Sequence, residues 1–224
     1  MKKPVLIGAS LVLATSILGA CGKESSTANA ENQKITQSQV ADITLNGERL
    51  SNKKIKEYRE EYMQAGKYVG MNKDTQAVIK HMILKDGMMK DLGVTQKDID
   101  NIYEKAVKDG APSVKLDGKK VVAKGVVLEI VFEDAYGKKY LSTSSTTDSL
   151  AKKKMTKEDE KGFKNHISTM KEDHPIGDYS YVYLFYLAQK YDLMDTDKYQ
   201  QDLLNKADIK GVKLTKLKTD EIIF

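Results

Sequence analysis

Cysteine and histidine are scarce in this 224-residue chain. The one cysteine, Cys21, has no intramolecular partner, which excludes a disulfide framework. The three histidines, His81, His166 and His174, are too far apart in sequence to form a helical pair of metal ligands. The sequence therefore predicts no metal site.

Motifs for catalysis and cofactor binding are also missing. The chain has no Gly-x-Ser-x-Gly nucleophile motif, and its glycines do not cluster into a phosphate-binding loop. The neighbouring acids Glu60 and Glu61, like Asp159 and Glu160, point in different directions on a helix and are expected to be solvated. We predict no catalytic residue and no cofactor, so the chain is not expected to be an enzyme.

The balance of charge argues against nucleic acid as a partner. The formal net charge is only +5, lysines alternate with acids, and there is no arginine-rich patch interleaved with aromatic residues. A mild positive charge suits a position beside anionic lipid or cell-wall polymer.

The N-terminus has the pattern of a lipoprotein signal. Lys2 and Lys3 precede an uncharged run, residues 5–18, which is too short for a stable transmembrane helix. Leu-Gly-Ala immediately before Cys21 resembles the lipobox read by lipoprotein signal peptidase. An ordinary secretory signal with an incidental cysteine is the alternative. We favour a signal peptide at residues 1–20, cleaved before Cys21, because that cysteine is the only one in the chain.

Lipid on Cys21 would anchor the protein to the extracytoplasmic face of the cell membrane. Diacylglycerol supplies two acyl chains, which suffice for stable attachment to the bilayer. Residues 21–40 are small and polar without apolar periodicity, which predicts a flexible tether, and the fold is expected to begin near Ala41.

Residues 41–112 are predicted to be mostly helical. Asn46 and Gly47 suit a tight turn after a short strand, and Ser51 suits the N-cap of a first helix. A second helix is expected from Asp74, and Thr95 opens a third. The side chains expected to face inward are Ile55, Tyr58, Tyr62, Ala65, Val78, Ile79, Met82, Ile83, Met89, Leu92, Ile99, Ile102, Tyr103, Ala106 and Val107.

Residues 113–149 change to a period of two, which predicts a small antiparallel β-meander followed by a polar loop. The expected strands are residues 114–116, 120–122, 126–132 and 138–141, with the loop at residues 142–149.

Residues 150–224 are predicted to be a C-terminal helical region. Thr156 with Asp159 caps a helix whose inward face is Phe163, Ile167 and Met170. The alternation within residues 179–188 suits a strand as well as a helix, and the length of the segment favours a helix. Asp195 or Thr196 begins the last helix, whose inward side chains are Tyr199, Leu203 and Leu204, and residues 212–214 are a candidate closing strand. The fold class is therefore α+β.

About residues 41–110, under a third of the chain, resemble the chaperone region of the SurA and PrsA foldases. The shared features are the Asn-Gly-Glu turn that ends at Glu48 and the Leu-Gly-Val linker that ends at Val94, followed by a cap with Asp98. PrsA-like proteins are also lipoproteins. The family's parvulin motifs, Ala-x-His-Ile-Leu and Gly-Gly-Asp-Leu-Gly, do not occur here. The resemblance implies a chaperone-like protein that binds unfolded secreted chains, without prolyl isomerase activity.

Methionine and tyrosine are numerous in the helices, and such side chains adapt to varied apolar partners. We expect a client-binding surface at Tyr58, Tyr62, Met82, Met89 and Tyr103. The competing interpretation is that most of these side chains are core. In that case the protein is an envelope-associated lipoprotein that recognises one partner or ligand through residues 114–141 and 179–186.

Replacing Cys21 with alanine tests the lipid anchor. Cys21→Ala should block lipidation and leave the precursor uncleaved or released, because the thiol is the only attachment point. Metabolic labelling with a palmitate analogue checks this, with the unmodified chain as the control. Label that still marks the mutant would overturn the lipoprotein assignment.

Overall fold

Helices account for most of the described chain. The computed structural model describes residues 35–63, 74–110, 113–116, 118–162, 181–218 and 221–224. The helices are α1 Gln37–Val40, α2 Asn52–Tyr62, α3 Thr75–Leu92, α4 Gln96–Asp109, α5 Lys124–Tyr136, α6 Ser144–Ala151, α7 Val182–Lys190 and α8 Thr196–Lys206. Residues 157–162 are also helical, and Gly137–Leu141 continue α5 as a π-helix.

Two small antiparallel sheets complete the α+β fold, which confirms the predicted class. The strands are β1 Thr44–Leu45, β2 Glu48–Arg49, β3 Val114–Leu116, β4 Lys119–Val121 and β5 Ile209–Lys210. One sheet has the order β2-β1-β5, and β3 pairs with β4 in the other. Thr44 of β1 lies opposite Arg49 of β2 on one side and Lys210 of β5 on the other. The sheet therefore joins the N-terminal part of the described chain to its C-terminal part.

The predicted helix boundaries are confirmed where a local cap sets them. The Ser51 hydroxyl accepts a hydrogen bond from the Lys54 amide at 3.1 Å, and Thr95 forms a capping box with Asp98. Gly93 ends α3 at a φ of +72°, a left-handed conformation that favours glycine. These signals lie within a few residues of the boundary, and the sequence therefore shows them.

Helix α3 is the centre of the structure. It contacts α2, α5 and α8, and its residues 77–85 are all buried, among them Lys80, His81 and Lys85. A stretch of helix that is buried on all sides must be covered by neighbours rather than by water. The polar groups on α3 consequently need partners within the protein.

The buried Lys80 finds its partners in the C-terminal segment. Its Nζ donates to the Glu221 carboxylate at 2.6 Å, to the Thr215 hydroxyl at 2.8 Å and to the Lys216 carbonyl at 3.0 Å. Both Lys80 and Glu221 have side chains that are at most 2% exposed. These contacts hold Thr215, Lys216 and Glu221 against α3.

Gln200 joins α8 to the same segment. Its side-chain oxygen accepts from the Ile223 amide at 2.7 Å, and its nitrogen donates to the Phe224 carbonyl at 3.2 Å. The Phe224 ring packs edge-on against Tyr136 and Phe185. Helices α3, α5, α7 and α8 are thus tied together through the last described residues.

The predicted β-meander is wrong beyond its first hairpin. β3 and β4 form as expected, whereas residues 126–132 belong to α5 and residues 138–141 to the π-helix. Valine and isoleucine in the segment favour a strand, but Leu128, Val131 and Phe132 are buried at helical spacing. Packing against α2, α3, α4 and α7 decided the outcome.

Three shorter predictions are also corrected. Residues 144–149 of the expected polar loop belong to α6, whose N-cap Thr143 accepts from the Thr146 amide. The expected tether extends too far, because α1 is helical and its Val40 is fully buried. The closing strand is β5 at Ile209–Lys210 rather than residues 212–214.

Some predicted features lie outside the described residues. These are the signal peptide, Cys21, Ala65, Phe163, His166, Ile167, Met170 and His174. Within the described ranges, no helix combines the length and apolar character needed to cross a membrane.

One pair of substitutions on α4 tests the position of its buried face. Ile102 is 7% exposed, whereas Val107, predicted to face inward, is 52% exposed. Ile102→Asp should destabilise the fold by several kcal/mol because it buries an unpaired carboxylate, lowering the melting temperature by more than about 5 °C. Val107→Asp is the matched control and should melt within about 2 °C of the unmodified chain. Equal melting of the two variants would show that this face is misassigned.

Candidate functional site

The five side chains predicted to bind clients do not form an exposed surface. Tyr62 and Met82 are 3% and 5% exposed, and Tyr58, Met89 and Tyr103 are partly buried against the core. The expectation of a methionine- and tyrosine-rich surface is therefore wrong for Tyr62 and Met82. Among the described residues, the large apolar side chains that are exposed are Val107, Tyr140 and Tyr186.

Two of the tyrosines predicted to bind clients instead lie beside a lysine on α5. Lys124 Nζ lies 2.5 Å from the Glu61 carboxylate and 2.7 Å from that of Asp100. It also lies 5.6 Å from the Tyr62 ring centre and 5.8 Å from that of Tyr103. Burial opposes the charge, but the bonds to Asp100 and Glu61 hold the pKa of Lys124 above its usual range. This cluster joins α5 to α2 and α4.

The remaining buried polar groups of α3 are also held by neighbouring helices. The Tyr58 hydroxyl and His81 Nδ1 share a hydrogen bond of 2.8 Å. Lys85 Nζ donates to the Gln96 side chain at 2.7 Å, and burial lowers the pKa of Lys85. These contacts hold α2, α3 and α4 together.

A pocket of about 620 Å³ opens between α3, α8 and the tip of the β1–β2 hairpin. Three aspartates and three lysines line it: Asp86, Asp91, Asp208, Lys90, Lys139 and Lys206. The rest of the lining is mostly apolar: Leu45, Ile83, Leu203 and Ala207, together with Asn46 and Gly87. Its size lies in the range of pockets that bind small molecules or short chain segments.

Gly87 of α3 lies against Leu203 of α8. A Cβ added at Gly87 would lie 3.4 Å from the Leu203 Cβ, at van der Waals distance. Asp91, one turn further along α3, contacts Tyr199, one turn earlier on α8. The two helices therefore run antiparallel along the pocket. At the other end of the pocket, the backbone amide of Asn46 donates to the backbone carbonyl of Asp208 at 2.9 Å.

Asp91 lies at one end of the pocket, and the hydrogen-bond acceptor positions of its carboxylate are taken by other side chains of the protein. Its carboxylate accepts from the Tyr199 and Tyr140 hydroxyls, each at 2.8 Å, and from Lys139 Nζ at 3.0 Å. Burial would raise the pKa of Asp91, but these hydrogen bonds lower it below the ordinary value. Burial and the neighbouring Asp91 raise the pKa of Tyr199. This network is structural, because its lone pairs and hydroxyls already have partners.

The other charged side chains of the pocket have fewer partners within the protein. Asp86 accepts one long hydrogen bond, from the side-chain amide nitrogen of Asn46 at 3.4 Å. Lys90, Lys206 and Asp208 form no ion pair with any residue that the structure describes. The pocket therefore offers charges of both signs to a ligand.

Sequence reasoning missed this pocket. The sequence of α3 places Asp86, Lys90 and Asp91 on its polar side. Their spacing gives no sign that a second helix packs next to them. Tyr199 was expected to face inward, yet nothing links it in sequence to Asp91, which is 108 residues away. Only the packing of α8 brings these residues together.

The described ranges contain no group of three or more histidine, cysteine, aspartate or glutamate side chains placed to hold a metal ion. Comparison of the whole chain with protein-family models, with curated proteins and with solved structures found no match.

Proposed function

We propose that this chain is a lipid-anchored, extracytoplasmic protein that binds segments of secreted polypeptides in the pocket between α3 and α8. Its role is chaperone-like and does not include catalysis. The observation that carries the proposal is the pocket itself, with its apolar lining and its equal number of acidic and basic side chains.

The chemistry of the pocket suits a polypeptide segment. An unfolded chain presents apolar side chains, charges of both signs and unpaired backbone groups, and this pocket has a counterpart for each. A polyanion would meet three carboxylates, and a purely apolar ligand would leave the charged lining desolvated. A ligand of mixed character has neither disadvantage.

The sequence supports the same function independently. The pocket uses Leu45, Asn46 and the second half of α3, all within the region that resembles the SurA and PrsA chaperone domain. An acylated Cys21 would hold that region close to the membrane, where secreted chains emerge unfolded. The partners proposed are therefore the lipid bilayer and unfolded secreted proteins.

A second candidate is recognition of one specific envelope partner. In the described part of the chain, exposed large apolar side chains are few and lie in different elements, namely α4, the π-helix and α7. Broad chaperones rely on extended apolar surface, which favours a dedicated partner here. Crosslinking in cells separates the two candidates, because a single saturable partner supports the second and a broad mixture of clients supports the first.

Filling the pocket tests the proposed function. Ala207 lines the pocket, and Ala207→Trp should occupy it and abolish most of the protein's ability to suppress aggregation of an unfolded client, measured by light scattering. Val107→Trp adds the same side chain at an exposed position on α4 and should retain full suppression. Thermal melting confirms that both variants remain folded.

Two results would count against the proposal. If the unmodified chain at several-fold excess gave no suppression, chaperone-like binding would be wrong. If Ala207→Trp and Val107→Trp suppressed aggregation equally, binding would occur outside this pocket.

A further inference from the structure

We propose that the groove of α3 and α8 that holds the C-terminal segment is a second polypeptide-binding site, in which a segment of another chain replaces the resident one. The C-terminal segment comprises residues 212–218 and 221–224. The pattern that the groove selects is an acidic residue, any residue, an aliphatic residue and an aromatic residue, as in Glu221 to Phe224. This inference does not rest on the function proposed for the pocket.

The C-terminal segment is attached to the fold in the way that a docked peptide is attached to a protein. Among the described residues, no backbone–backbone hydrogen bond joins residues 212–218 or 221–224 to a helix or a strand. A strand of a sheet is held by its own backbone ladder, whereas this segment is held by side chains of α3 and α8. Another segment that presents the same groups would be held in the same way.

Two glutamines of α8 bind backbone groups, which every polypeptide has. Gln200 accepts from the Ile223 amide at 2.7 Å and donates to the Phe224 carbonyl at 3.2 Å. Gln201 accepts from the Leu217 amide at 2.9 Å. Because backbone amides and carbonyls do not depend on the side chain, this part of the groove can bind a segment of different sequence.

Lys80 adds the requirement for an acidic side chain. Its Nζ donates to the Glu221 carboxylate at 2.6 Å, and both side chains are at most 2% exposed. Gln200 is also fully buried. In the described structure, the side-chain hydrogen bonds of Lys80 and Gln200 all go to the C-terminal segment. The groove thus contains two buried polar groups that only a docked segment satisfies.

The aromatic position of the pattern is set by rings from three helices. The Phe224 ring centre lies 4.8 Å from that of Phe185 on α7 and 5.8 Å from that of Tyr136 on α5, both edge-on. Tyr199 on α8 stacks parallel to Phe224 at 6.4 Å. Ile223, just before the ring, is fully buried. This end of the groove therefore favours an aliphatic residue followed by an aromatic one.

Replacement of one segment by another avoids an empty groove. A buried lysine that loses its only carboxylate is strongly destabilising, so the C-terminal segment resists release and competes with any other ligand. A segment with the same pattern restores the ion pair, the backbone hydrogen bonds and the ring contacts. The net cost of the replacement is then small, and the partner must carry the acidic residue.

A labelled, amide-capped peptide with the sequence of residues 212–224 measures this replacement. Fluorescence anisotropy with the purified full chain in detergent, after overnight incubation, should show saturable binding. Glu221→Gln in the peptide should weaken binding about tenfold, because Lys80 would lose its carboxylate. Glu221→Gln in the chain should instead strengthen binding of the unmodified peptide about tenfold, because the chain's own segment then competes less.

Lys218→Gln is the matched control, since the Lys218 side chain is exposed. In the peptide or in the chain, it should change binding less than about twofold. Phe224→Ala in the peptide should remove saturable binding, because the ring contacts are lost. The peptide variants are measured on the unmodified chain, so these results do not depend on the folding of a variant.

Three results would overturn the inference. The first is no saturable binding of the unmodified peptide by either the unmodified chain or the Glu221→Gln chain. The second is equal binding of the glutamate and glutamine peptides. The third is a dimer, detected by size-exclusion chromatography, that excludes the peptide, because the occupant of the groove would then be a second copy of the chain. Each result leaves the function proposed for the pocket standing.

Discussion

The ion pair between Lys80 and Glu221 is the constraint on which the rest of the structure depends. It is buried in the centre of the fold and joins α3 to the C-terminal segment. Removing one partner from such a pair typically costs about 3–5 kcal/mol, because the other charge is left without compensation. Lys80 also donates to the Thr215 hydroxyl and to the Lys216 carbonyl. Close to Glu221 in the chain, Ile223 and Phe224 form two hydrogen bonds with Gln200 on α8.

The pocket follows from this arrangement. With α8 held through Gln200, Leu203 lies against Gly87 of α3 and the Tyr199 hydroxyl donates to Asp91. β5 then pairs with β1 and brings Asp208 beside Asn46. The charged lining thus brings together residues that are distant in sequence. Asp91 accepts hydrogen bonds from three side chains, whereas Asp86 has one long contact, with Asn46.

The features that sequence revealed were those set by neighbouring residues. The caps at Ser51 and Thr95 and the left-handed Gly93 depend on local hydrogen bonds and backbone freedom, so their patterns identify them. α5 could not be recognised, because the choice between strand and helix for its valines was made by the helices that cover it. Tyr62 and Met82 illustrate the same limit. Their spacing shows that they share a helix face, and only packing shows that the face is closed.

Hydrogen–deuterium exchange of the full chain, with and without a permanently unfolded client protein, tests the central claim most directly. If the pocket between α3 and α8 binds polypeptide segments, the client should slow amide exchange in β1 and in residues 203–210, which border the pocket, and leave α4 unchanged. Slowed exchange confined to α4 or α7, or no change in β1 and residues 203–210 under conditions where the client is bound, would contradict it.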